Sequence, residues 1–167
     1  MDAMSAFSMA GSAFSTLATG YFWLVRARRE KPNLRPHVAD REFYLGSGTA
    51  ETRQVGLKLG LIVANYSLLP NALLGVSVAV QLTDFSWQPM QRISFDAATP
   101  LPFNVPSMQT VLLRINGYLS FPAMAELETG SKTLAAYLQH CVAEPKRFQV
   151  ELQSLGNYRQ VHVVTAG

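Results

Sequence analysis

The sequence predicts a mostly β chain: an N-terminal transmembrane helix followed by an immunoglobulin-like antiparallel β-sandwich with one short added helix. Three observations predict it. Ala3 to Val25 is a run of 23 residues without a charge that breaks at Arg26 into arginines. From Val55 onward, apolar residues recur at period two in short runs separated by turn formers. One late segment, Ser131 to Val142, switches to helical spacing. The chain divides accordingly into residues 1–31, a transmembrane helix with a basic juxtamembrane segment; 32–54, a linker with a first strand; and 55–167, the sandwich.

A helix over the uncharged run would rise about 34 Å, enough for a hydrocarbon core of about 30 Å with some tilt. Ser5, Ser8, Ser12, Ser15 and Thr19 recur at alternating spacings of three and four, which gathers them on one stripe. In lipid such a stripe is a packing seam for another transmembrane helix; alternatively, each hydroxyl bonds back to its own helix. Tyr21 and Trp23 occupy the aromatic-belt position, and Arg26, Arg28, Arg29 and Lys31 follow as membrane-interface cations. By the positive-inside rule the body faces the cytoplasm, in a cell (inner) membrane, single-pass arrangement; the opposite orientation stays open for a lone anchor. The cations follow the apolar run, and no small-residue cleavage site ends it, so the segment does not read as a cleaved signal peptide.

Lys31-Pro32-Asn33-Leu34-Arg35-Pro36 stops the helix, because proline lacks the donor and restricts its predecessor. A first strand is predicted over Glu42 to Leu45, ended by a Gly46-Ser47-Gly48 turn. Val55 to Ala64 and Leu74 to Leu82 alternate cleanly, the second through Leu74, Val76, Val78, Val80 and Leu82. Further strands are predicted at Arg92 to Phe95, Thr110 to Asn116, Phe148 to Leu152 and Val161 to Val164. Leu134, Tyr137, Leu138 and Cys141 mark the added helix. About seven short strands between turn signals argue for the sandwich.

Charged residues are 15% of the chain, against roughly 25% in soluble domains. The net charge is +3, yet six cations against two acids lie between Arg26 and Arg41, so the rest is close to neutral. Basicity confined beside a hydrophobic run points to anionic lipid head groups, not to nucleic acid. A single cysteine, Cys141, excludes an intramolecular disulfide.

The combination of YFWLVRARREKPNLRP, FYLGSG, LGLIVANYSLLPNALLGVSVAV and PLPFNVPSMQTVLLRI resembles a group of bacterial single-pass membrane proteins with an immunoglobulin-like domain. The resemblance covers most of the chain. It implies the tether and the fold, and carries no catalytic residue across.

No segment presents a reaction signature. His140 and Cys141 are adjacent, so on a helix they point about 100° apart. An enzyme using Cys141 would need His37 or His162 brought to it by the fold. The three histidines share no metal-ligand spacing, and Glu126 and Glu128 suit a helix start rather than acid–base work. Gly46-Ser47-Gly48-Thr49-Ala50-Glu51 lacks the lysine of a phosphate loop, and Asn65-Tyr66-Ser67 matches a glycosylation sequon but reads as a turn. No catalytic, metal or cofactor site is therefore expected. Phe85, Trp87 and Phe103, with Tyr118 and Phe121, are either core or a partner surface.

These features lead to the expectation of a membrane-anchored, non-catalytic interaction protein, an accessory, scaffold or assembly subunit of a larger complex. Its partners would be membrane lipid and another transmembrane protein, or further copies in a homo-oligomer. The alternatives are a module binding lipid or a small apolar ligand, and an enzyme using Cys141.

Overall fold

The computed structural model describes residues 3–49, 51–97, 100–124 and 133–165, with side chains from residue 15 onward apart from those of residues 29 and 157. The chain is mostly β, built from antiparallel sheets with two α-helices among the described residues. Helix α1 (Ala3–Glu30) is followed by β1 (Leu34–Gly48), β2 (Thr52–Asn65), β3 (Asn71–Gln81), β4 (Trp87–Pro89), β5 (Gln91–Phe95), β6 (Phe103–Val105) and β7 (Thr110–Pro122). Helix α2 (Thr133–Cys141), β8 (Arg147–Ser154) and β9 (Tyr158–Thr165) complete it.

One sheet runs β1-β2-β7-β5; the other runs β4-β3-β8-β9, with β6 also pairing β3. Their inner faces share one core. Leu57, Leu59 and Leu61 of β2 and Leu113, Ile115 and Leu119 of β7 meet Val78 and Val80 of β3 and Phe148, Val150 and Leu152 of β8, all buried. At roughly 1.5–3 kcal/mol per buried side chain, this common face is what holds the two sheets together. Helix α2 closes one end. Its Tyr137 is fully buried, packs on Phe121 at 6.5 Å between ring centroids, and accepts the amide N–H of Met124 at 3.0 Å.

The predicted strands from Val55 onward are present, and α2 carries Leu134, Tyr137, Leu138 and Cys141 as expected. Several expectations are corrected. The first strand is not four residues but fifteen, Leu34–Gly48. Pro36 is tolerated because β1 is an edge strand, where a missing donor costs no ladder bond on its open side. Gly46 and Gly48 belong to that strand, and the turn comes after them, where Thr49 Oγ1 lies 2.9 Å from Thr52 Oγ1. In β3 an irregularity between Leu73 and Gly75 shifts the alternation, so Leu73 is buried while Leu74 is exposed. On β9, Val161 and Val163 face outward and are more than half exposed, because this strand is the edge of its sheet and presents Gln160, His162 and Val164 on the other face.

The expectation of a membrane crossing by α1 is left without support. Its 28 residues match the length of a span, but no helix among the described residues is both long and apolar enough to cross a membrane. Six hydroxyl residues and two glycines dilute the run between Ala3 and Val25. The hydropathy of this helix therefore gives no support to a lone transmembrane crossing.

Candidate functional site

Among the described side chains of α1, from residue 15 onward, the large apolar ones are exposed rather than buried against the rest of the chain. Leu17 and Phe22 are 73% exposed, and Tyr21, Trp23 and Leu24 are exposed beside them. Within the serine and threonine stripe, Thr19 Oγ1 donates to the carbonyl of Ser15 at 2.8 Å, the back-bonded arrangement. The side chains of Ser5, Ser8 and Ser12 lie outside the described residues. Among the interface cations, Arg26 Nε donates to Glu30 Oε1 at 2.6 Å and its guanidinium lies 5.8 Å from the Trp23 ring centre, while Arg28 and Lys31 are exposed. Arg29's side chain, Glu126 and Glu128 are outside the described residues.

The aromatics do not form one surface. Trp87 pairs with Gln81 and Phe103 with Leu73, at opposite ends of β3 and, at about 3.3 Å per residue, some 26 Å apart. Phe103 packs against the core, whereas Phe85, in the β3–β4 connection, is 74% exposed. Phe121 is core, and Tyr118 stacks edge-on with Tyr44 at 6.1 Å.

The nucleophile reading gains nothing from the fold. Cys141 is buried, and burial pushes its thiol above the ordinary value, the opposite of activation. His162 is held below its usual value, first by burial; its bond to the Leu34 backbone opposes this, and the charges of Arg35 and His37 add to it. Its Nε2 is buried without a hydrogen-bond partner. No group of three or more potential metal ligands occurs among the described residues. Asn65 is 2% exposed with its amide fully engaged, so the sequon is a structural hub and its nitrogen is inaccessible to a glycan.

Sequence reasoning missed the most featured polar surface, a cleft of about 550 Å³ on the outer face of the β1-β2-β7-β5 sheet. Two cross-strand ranks build it. Asp40 and Arg114 are the register partners of Gly60 on its two sides, with the Asp96 amide donating to the Arg114 carbonyl at 3.1 Å. Glu42, Lys58, Asn116 and Ser94 form the next rank. Lys58 Nζ is 3.0 Å from Glu42 Oε2 and 5.4 Å from the Tyr44 ring centre, and the Tyr44 hydroxyl donates to Asn116 Oδ1 at 2.8 Å. Burial and Tyr118 hold that phenol above its ordinary pKa. The signal in the sequence is polar residues at alternate positions, Asp40 and Glu42 on one strand and Arg114 and Asn116 on another with Lys58 between them, legible only once register is known.

A second cleft of about 550 Å³, lined chiefly by Leu74, Val76, Ile93, Phe95, Pro100 and Leu101, opens at the flank between β3 and β5.

No protein-family model matches the chain. A search of curated proteins finds no match either. Among solved structures, a crystal structure of a protein from Archaeoglobus fulgidus aligns over 75% of this chain and 90% of its own, with a TM-score of 0.36 and 11% identity, a likeness too slight to bear on fold or function.

Proposed function

We propose that the protein is a non-catalytic interaction protein held at the membrane by α1, an accessory or assembly subunit whose immunoglobulin-like body faces the cytoplasm. The observation that carries this reading is the group of large apolar side chains, Leu17, Tyr21, Phe22, Trp23 and Leu24, left exposed on the second half of α1. A helix with so many hydroxyls is a poor lone span. It becomes a good one beside a second helix, where small residues permit close approach and hydroxyls bond across the contact. The cations that end α1 would then sit among anionic head groups, about 1 kcal/mol each near the surface.

The test is fractionation of the full chain and of a chain lacking residues 1–31. The full chain is expected to float with membranes and, in mild detergent, to bring down another membrane protein or further copies of itself, and the truncated chain to do neither. A full chain that stays in the soluble fraction, or purifies from membranes only as a lone monomer, overturns the proposal. The apolar flank cleft favours a second reading, binding of a lipid or small apolar ligand. Mass spectrometry of the purified protein finding no retained lipid, with no displacement of a fluorescent fatty-acid probe, would remove it.

A further inference from the structure

We propose that the cleft on the outer face of the β1-β2-β7-β5 sheet binds a free α-amino acid, with its ammonium group at Asp40 and its carboxylate at Arg114. The register places Asp40 and Arg114 on either side of Gly60, on strands that lie about 10 Å apart at the usual sheet spacing. A Cβ built at Gly60 would meet Asp40 Oδ1 at 2.4 Å and its Cγ at 2.7 Å. The carboxylate therefore lies down over β2, in room that only glycine leaves.

Which charges remain for a ligand follows from what the others already do. Glu42 and Lys58 neutralise one another, and Arg41 and Asp96 have interactions of their own. Asp40 and Arg114 are among the cleft's lining residues, yet no ion pair joins them. The cleft thus offers one charge of each sign, carried by residues on the two strands that flank Gly60. Its formal charges cancel: Asp40, Glu42 and Asp96 against Arg41, Lys58 and Arg114. A simple anion or cation would be attracted at one end and repelled at the other, whereas a neutral molecule carrying both charges is matched at both. Arg114 offers the planar fork that grips a carboxylate in two bonds. Asn116 has its amide oxygen occupied by Tyr44, which leaves its NH2 as a further donor beside the carboxylate. The volume, about 550 Å³, falls in the range of small-ligand sites and leaves space for a side chain.

The test is a titration of the full chain in mild detergent, followed by amide proton–nitrogen NMR, with a pool of proteinogenic L-amino acids and then each alone. Saturable shifts are expected at the amides of Gly60, Ser94 and Asn116. They should vanish when the same amino acid is N-acetylated or amidated at its carboxyl. Asp40→Asn and Arg114→Gln, both at exposed positions whose fold the same spectrum verifies, should each weaken binding about tenfold or more, as expected for a lost charged hydrogen bond. No saturable response up to about 10 mM, beyond the millimolar edge of specific affinity, overturns the proposal. So does binding that survives either blocked ligand or either substitution. Because the cleft lies on the sheet, this outcome is independent of what α1 does.

Discussion

Replacing Asn65 by alanine should be among the most damaging single changes in the β domain, although the residue is neither apolar nor near a charge. Its Nδ2 donates to the carbonyls of Leu69, Val105 and Pro106 at 2.9–3.1 Å, and its Oδ1 accepts from the amide and hydroxyl of Ser67 and from Asn71 Nδ2 at 2.8–3.0 Å. The side chain thereby joins the end of β2, the β2–β3 connection and the β6–β7 connection. After truncation, the Ser67 hydroxyl still has Leu69 O at 2.8 Å, and Asn71 still has Ser67 Oγ. The Pro106 carbonyl keeps the Gln109 amide at 3.4 Å, whereas the Ser67 amide and the Val105 carbonyl lose this partner. At the lower end of 1–3 kcal/mol for each stranded group, the loss is about 2 kcal/mol. For a chain of this size that corresponds to a melting point lower by about 6 °C. Urea and thermal unfolding followed by far-UV circular dichroism would measure it. Asn65→Asp should be no better, since it keeps the acceptor but turns an oxygen toward carbonyls. A cost below about 1 kcal/mol for Asn65→Ala would refute the reasoning, because the connections would then be held by something other than this amide.

Three further changes have directions set by the structure. At Gly56 a Cβ would stand 2.1 Å from Tyr44 Cζ, so Gly56→Ala should displace that ring and cost about 1–3 kcal/mol, with much of the loss recovered in the Gly56→Ala, Tyr44→Ala double variant; additive losses would contradict it. Cys141, buried and with a raised pKa, should react with iodoacetamide about tenfold or more slowly in the folded chain than in urea, and equal rates would show it to be accessible. The folded pKa of His162 lies below the unfolded value of 6.5, so on acidification the unfolded chain takes the proton first. Stability from this group is full above 6.5 and is lost as the pH falls toward the folded pKa; urea midpoints measured from about pH 8 to about pH 5 should decline less in His162→Gln than in the parent chain.

Much of the sandwich was legible because the burial that makes a strand also writes its period. β2 shows this most plainly: Val55, Leu57, Leu59, Leu61 and Val63 alternate in the sequence and are all buried. Only four of the fifteen residues of β1 are legible as strand in the sequence, since an edge strand with one face toward water has no continuous apolar side, and its Pro36, with Pro32 just before it, and its paired glycines resemble a linker. β4 and β6, three residues each, exist because β3 supplies their pairing, a non-local cause that leaves no local period. The cleft was invisible for a related reason. Asp40, Gly60 and Arg114 are separated by 20 and 54 residues, and what relates them is the register of two ladders.

The same register governs how α1 meets the domain. Only residues 31–33 separate the end of α1 from β1, and that passage is tied to strands far away in sequence. Gln160 of β9 accepts the Leu34 amide at 3.0 Å and donates to the Pro32 carbonyl at 2.6 Å, while the Asn33 carbonyl accepts the Tyr66 amide at 2.9 Å. A flexible tether would leave these backbone groups to water. Here one glutamine, reaching across from the edge of the opposite sheet, satisfies a donor and an acceptor two residues apart, and the β2–β3 connection takes the group between them. The join is therefore short and bonded on successive residues to β9 and to the β2–β3 connection. Whatever engages the exposed aromatics of α1 acts on the body through that join, and the Asn65 hub lies next to Tyr66 in the same connection. The damage predicted for Asn65→Ala thus reaches the strands and also the point where the helix is fastened to them.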